Sequence, residues 1–354
     1  MNAGAYEFRA GDQGNREAPP HVLSLSIRRL MVKACLPVLA AGFFAASHGV
    51  HAESGAGRYP ARPVRFIVPF PPGGGTDIVG RVIAQKLSER LHAQFVIDNR
   101  PGVASVLGSA IAAKAAPDGH TLLLVTASFA IAAGYYKEVP YDSIRDFDAI
   151  GQVATAPLVF VAHPSVAAHS IRELIALAKA QPDKLNYASG GEGGINHLPA
   201  EMFKSMTGAR MTHIPYKGAG PALAALIAGE VQVMIATVGS CLPQIRSGKL
   251  RALALGGARR SALLADLPTV AEVGWPDYAA DNWYAMVAPR GTPRAILQLL
   301  NREIVSLMGG EDIRVRFATL GFEPAPSTPE AFARYLPTEL VKWRKAIHVA
   351  GIGS

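Results

Sequence analysis

The chain has 354 residues, enough for two ordinary domains, and 49% of them are hydrophobic against 18% charged, a balance that excludes a disordered protein. A formal net charge of +8 would suit nucleic acid or anionic ligands. The basic residues are scattered, however, in runs no longer than pairs such as Arg28-Arg29 and Arg259-Arg260, so no nucleic-acid partner is expected.

The N-terminus reads as a processing signal. Arg28, Arg29 and Lys33 precede the apolar stretch LPVLAAGFFAA (36 to 46), and VHA (50 to 52) offers a small-residue cleavage site before Glu53. The apolar run is too short to be a permanent anchor. Met31 opens a complete signal by itself, so 1–30 reads as an N-terminal extension and 31–52 as the signal peptide. A start at Met1 or Met31, and export by the general or the twin-arginine route, are both open. The expectation is a periplasmic protein. Cys35 falls inside the signal and leaves Cys241 alone in the mature chain, so no intrachain disulfide is expected and Cys241 reads as a packing residue. No cysteine cluster or histidine ligand spacing marks a metal site, and no cofactor is expected.

Past Ala52, apolar runs alternate with helix-length amphipathic stretches. VRFIVPF (64 to 70) reads as a buried strand, followed by Ile78, Val79, Val82, Ile83 and Leu87 on one helical face. QFVIDN is a second strand, SVLGSAIAAKA a helix, and TLLLVT a third strand entered through the Pro117-Asp118-Gly119 turn. LVFVAH (158 to 163) is a strand, and SIRELIALAKAQ (170 to 181) a helix capped by Ser170. KLNYAS, MTHIPY, VQVMIAT and LRALALGG continue as strands, with HLPAEMFKSM, GPALAALIAG and CLPQIRSG as the helices between them. Helical patterns return at 293 to 308 and 329 to 348. This alternation is the signature of parallel α/β sheets. Two cycles of about 100 residues each predict two α/β lobes, each a mainly parallel sheet flanked by helices.

Three strand-to-helix turns are rich in glycine. FPPGGGTD (70 to 77) would present backbone N–H groups at the positive end of a helix, a natural anion site, with Thr76 or Asp77 available as a cap. ASGGEGGINH (188 to 197) and IPYKGAGPAL (214 to 223) are of the same kind, the latter adding the cation Lys217. The first turn lacks the G-x-x-x-x-G-K-[ST] of a P-loop and the G-x-G-x-x-G of a dinucleotide fold. No G-x-S-x-G elbow appears, Ser189 has no evident acid and base partners, and His197 reads as a capping or core histidine.

Taken in order, PVRFIVPFPPGGGTDIVGR, DNRPGVAS, APDGHTLLL, PYDSIRDFDAIGQVA, HLPAEMFK, IPYKGAGPALAALIAGEV, ADLPTVAEVGWPDYAADNWYAMVAPRGTP and LGFEPAPSTPEAF resemble the Bug, or TctC-like, family. These are extracytoplasmic solute receptors of tripartite tricarboxylate transporters. The resemblance runs from about Tyr59 to Trp343. It implies a two-lobed periplasmic binding protein fold of type II, with a cleft that closes on a small organic carboxylate. Lobe 1 would take 59–159 and 283–354, and lobe 2 would take 160–282. It also implies a monomer that hands its ligand to membrane permease subunits and performs no catalysis. The first loop's carboxylate-holding role carries onto Phe70, Pro71, Pro72, Gly73, Gly74, Gly75, Thr76 and Asp77. The second loop matches Ser189, Gly190, Gly191, Glu192, Gly193, Gly194, Asn196 and His197, and the third turn matches Tyr216, Lys217 and Gly218. Thr126, Ala127 and Ser128 match a further cleft-facing position. The chain departs from the family pattern at Glu192, Gly194, Ile195, Gln232 and Ile235. Glu192, facing the cleft, would repel a second ligand carboxylate or pair with an amine. An exported hydrolase or lyase on the same scaffold, and a ligand sensor for a membrane partner, are the other readings.

Overall fold

The structure is a computed structural model that describes residues 59–353. The extension and signal-peptide readings lie outside the described residues. The first half begins with β1 (Val64–Val68), α1 (Gly75–Leu91), β2 (Phe95–Asn99), α2 (Val106–Ala113), β3 (Thr121–Thr126) and α3 (Ala127–Tyr135). The long β4 (Phe147–Ala162) leads into α4 (Ile171–Ala180), β5 (Leu185–Ser189), α5 (Leu198–Thr207), β6 (Met211–Pro215), α6 (Ala219–Ala228), β7 (Val233–Thr237), α7 (Val238–Arg246) and β8 (Arg251–Leu255). The chain closes with β9 (Asp281–Pro289), α8 (Arg294–Met308), α9 (Glu311–Leu320), β10 (Glu323–Pro324) and α10 (Pro329–Ala350).

The strands follow the order β2-β1-β3-β9-β4-β7-β5-β6, with β8 and β10 also paired to β4. The pairs β1–β2, β1–β3, β5–β6 and β5–β7 are parallel, as the alternation predicts. The strands that join these two outer groups, β4 and β9, run antiparallel to their neighbours. Residues 147–157 of β4 pair with β9, whereas 158–162 pair with β7 and β8. One 16-residue strand therefore belongs to both half-sheets.

Three stretches missed in the sequence, the first part of β4, β9 and α3, lack a regular hydrophobic period. Register shifts between Ala149 and Gly151 and between Gln152 and Ala154 break the two-residue period in the first part of β4. At Gly151, φ is 148°, and a Cβ would meet the Ser327 carbonyl at 2.5 Å, so glycine is required at this irregularity. Residues 282–289 of β9 are all buried, and α3 is buried almost all round, so neither shows an amphipathic face.

α10 packs on α3, β4 and α5 and so spans both halves. Its buried Glu339 accepts the indole N–H groups of Trp283 (2.9 Å) and Trp343 (3.1 Å), which fixes the helix to β9. The core forms three clusters. One is built on Phe66, Leu124 and Met286, one on Phe160, Phe203 and Tyr278, and a smaller one on Val159, Met234 and Leu255. Cys241 is fully buried in the last of these, and burial pushes its thiol up to about 12.

Candidate anion cavity

Three helices start at one place. α1, α6 and α7 begin at Gly74, Gly218 and Thr237 without a side-chain cap, and all three residues line one cavity of about 220 Å³. Thr126, the cap of α3, is in the same wall. Each uncapped N-terminus carries free N–H groups and roughly half a positive charge. Among the lining residues no side chain is charged; the polar groups come from Thr76, Thr126, Asn196, Thr237, Ser240, Asn282 and Tyr284. Phe70, Pro71, Pro72, Ile78, Ile195, Pro221 and Leu223 supply apolar surface. The electrostatics of the cavity therefore come from backbone dipoles and neutral donors.

The first glycine-rich loop is braced from behind. Gly73, at φ 83°, donates its N–H to Asp77 Oδ2 at 2.9 Å; Arg81 Nε donates to the same oxygen at 2.8 Å, and Asn99 Nδ2 to Oδ1 at 2.9 Å. Burial pushes the Asp77 carboxyl up, but these donors outweigh it and hold the group below the usual aspartate range. Asp77 is thus the loop's anchor, neither lining the cavity nor capping α1. Gly75 has a different reason to be glycine: a Cβ there would stand 3.1 Å from the Tyr284 hydroxyl. Burial raises the Tyr284 pKa, so the group stays a neutral hydrogen-bonding phenol.

The structure brings Phe70, Pro71, Pro72, Gly73, Gly74, Gly75, Thr76, Thr126, Asn196 and Gly218 together around this inner cavity. Gly190, Gly191, Glu192, Tyr216 and Lys217 instead line an adjoining outer cavity of about 390 Å³, which shares Phe70, Pro71 and Gly218 with the inner one. Ala127, Ser128, Ser189, Gly193, Gly194 and His197 line neither. Several of these position the walls. The Ala127 N–H donates to Asn282 Oδ1 at 3.3 Å, and Ser128 Oγ accepts the Ile195 N–H at 3.1 Å. His197 Nδ1 accepts the Gly193 N–H at 3.1 Å, and its ring stacks on His213 at 4.1 Å. Ser189 Oγ and His213 Nε2 are 2.6 Å apart, outside both cavities. Asn196 Nδ2 donates to the Ile235 carbonyl at 2.7 Å, while Gln232 Oε1 accepts the Asn186 N–H at 2.9 Å; neither Gln232 nor Ile235 lines a cavity.

Sequence reasoning missed Ile78, Thr237, Gly239, Ser240, Asn282 and Tyr284. Thr237-Val238-Gly239-Ser240 follows β7 as the other glycine and hydroxyl turns follow their strands, and that repetition was a usable signal. Asn282 and Tyr284 reach the cavity from β9, with no local pattern to mark them.

Two antiparallel-joined α/β halves with helix N-termini gathered between them are the architecture of periplasmic solute-binding proteins. A family model described as the tripartite tricarboxylate transporter family receptor, TctC, matches residues 79–352, and the chain belongs to that family. The match begins inside α1, just after the first glycine-rich loop. Protein BugT of Bordetella pertussis is 39% identical over 312 residues, covering 88% of this chain and 96% of the relative. Among solved structures, R. palustris Rpa4515 with adipate superimposes with a TM-score of 0.81 at 35% identity, covering 83% of this chain and 99% of that one. MatC of Rhodopseudomonas palustris with bound malate gives 0.77 at 28% identity, covering 82% and 100%.

Proposed function

We propose that this protein is a periplasmic receptor that takes the carboxylate of a small organic acid into the inner cavity and delivers the ligand to membrane permease subunits of a tripartite tricarboxylate-type transporter. The observation that carries the reading is the meeting of three uncapped helix N-termini at a cavity without a charged side chain. Such a site attracts an anion and offers it hydrogen bonds, with no resident acid to oppose it. The adipate and malate held by two relatives support a carboxylate as that anion.

The half-sheets act as two lobes, 59–159 with 283–354 and 160–282, hinged where β4 and β9 cross between them. Contacts between the halves support closure on a ligand: Tyr136 Oη donates to the Glu192 carbonyl at 2.8 Å, and the Ile195 N–H reaches Ser128. Ligand that binds only the closed arrangement shifts the population toward it, and the permease reads that form. The receptor acts as a monomer and performs no bond chemistry, in keeping with a cavity whose only titratable side chain is the buried Tyr284. Export by a signal cleaved after Ala52 places it in the periplasm.

The test is a thermal-shift and calorimetry screen of the mature protein against mono- and dicarboxylates and against amines of equal size. A ligand bound only by the folded state raises the melting temperature, so carboxylates should do so and amines should not. Stabilisation by amines alone would overturn the reading.

A further inference from the structure

The outer cavity differs chemically from the inner one. It carries both charges, Lys217 and Glu192, on walls from the second half, and no ion pair among the described residues uses either. Val103, Ala104 and Ser105 line the same cavity, with φ of 47°, 48° and 90°, three successive non-glycine residues in the left-handed region. L-residues rarely adopt it, because Cβ crowds the following carbonyl. This conformation sets Ser105 at the N-cap of the eight-residue α2, without a capping bond. Ser105 is 1% exposed, yet its Oγ has no hydrogen-bond partner. A buried hydroxyl left unsatisfied is costly unless something else supplies the bond.

We infer that the outer cavity is a second subsite of the same cleft, which receives a zwitterionic head group: an ammonium beside Glu192, and an adjoining carboxylate or other acceptor beside Ser105 and Lys217. The inference rests on the inner cavity holding the ligand's first carboxylate, and the shared wall of Phe70, Pro71 and Gly218 makes the two sites continuous. The ligand class is then an elongated amino dicarboxylate. Glu192 selects for the amine, and the Ser105 hydroxyl donates to the acceptor.

Calorimetry with hexanoate, adipate and 2-aminoadipate, three acids of equal chain length, separates the two readings. The parent should bind 2-aminoadipate at least about tenfold more tightly than adipate, and Glu192→Gln should bring the two within about twofold. Ser105→Gly suits the left-handed backbone and removes the hydroxymethyl side chain. It should weaken adipate and 2-aminoadipate by about threefold or more while leaving hexanoate within about twofold. Circular dichroism of each variant confirms that it is folded. Hexanoate binding with no gain from either added group overturns the outer subsite and leaves the carboxylate receptor standing. Equal effects of Glu192→Gln on all three acids also overturn it. No binding by any of the three overturns the outer subsite, while the carboxylate reading is decided by the wider screen above.

Discussion

The Asp77 carboxylate accepts the Gly73 N–H at 2.9 Å, which ties the first turn of α1 back onto the loop that precedes it. The residue is 3% exposed and also takes bonds from Arg81 and Asn99, so its removal takes the acceptor from three donors, of which Arg81 can turn to solvent and Asn99 keeps the Phe70 carbonyl. Asp77→Ala should cost about 1–3 kcal/mol in urea unfolding. It should also weaken ligand binding, because the loop loses its brace. Unchanged stability would show that the network contributes nothing.

Gly74 faces the cavity with φ −79°, and a Cβ there would meet only the Pro71 carbonyl, at 3.8 Å. The backbone accommodates a side chain, and the obstruction falls on the ligand. Gly74→Val should lower carboxylate affinity by more than about tenfold, or about 1.4 kcal/mol, with a smaller change in the melting temperature of the unliganded protein. Affinity within about twofold of the parent would remove this loop from the site.

Gly239 presents the opposite case. A Cβ there would lie 2.2 Å from the Leu320 carbonyl oxygen, a backbone atom, so the α7 start and the α9 end cannot stay in place. Gly239→Ala should destabilise the fold by about 1–3 kcal/mol, the usual cost of overpacking. Equal unfolding midpoints for variant and parent would sink the claim that this backbone approach is required.

Tyr136 and Glu192 join the end of α3 to the second glycine-rich loop through one hydrogen bond. Tyr136→Phe removes the donor and keeps the ring. If the bond forms on closure, ligand should dissociate about two- to tenfold faster, in line with a net hydrogen-bond contribution near 1 kcal/mol. Stopped-flow release rates check this, and an unchanged rate would mean the contact is present in the open form as well.

His213 is stacked between Tyr187 at 4.8 Å and His197 at 4.1 Å. Burial, then the neighbouring His197, lowers its pKa to about 4, against Glu201, which acts to raise it. The folded state therefore prefers neutral His213, and the unfolded chain binds the proton more readily. Its stabilising contribution is full above about pH 6.5 and is lost as the pH falls toward 4. Asp77, held low by its donors, adds a loss that begins only below its ordinary value of 3.8. Melting temperature should thus decline between pH 6.5 and 4, and His213→Gln should flatten the decline. A flat parent profile over that range would refute the assignment.

The outer strands, their helices and the first glycine-rich loop are legible in the chain alone. Those features are local: β1, β3 and β5 are short apolar runs ended by turn residues, and Ser170 caps α4 by accepting the Glu173 N–H at 3.2 Å, as its position implied. An ordered set of such segments also carried the family resemblance. Only the packing of distant segments selects which candidates line the cavities. Asp77, Ser128 and His197 lie in or beside the predicted loops, yet each turns away to hold backbone N–H groups. Asn282 and Tyr284 reach the cavity from β9, whose pairing with β3 and β4 depends on contacts more than 100 residues apart in the chain. A glycine-rich turn announces that backbone can approach something; only the packing of distant strands fixes what it approaches.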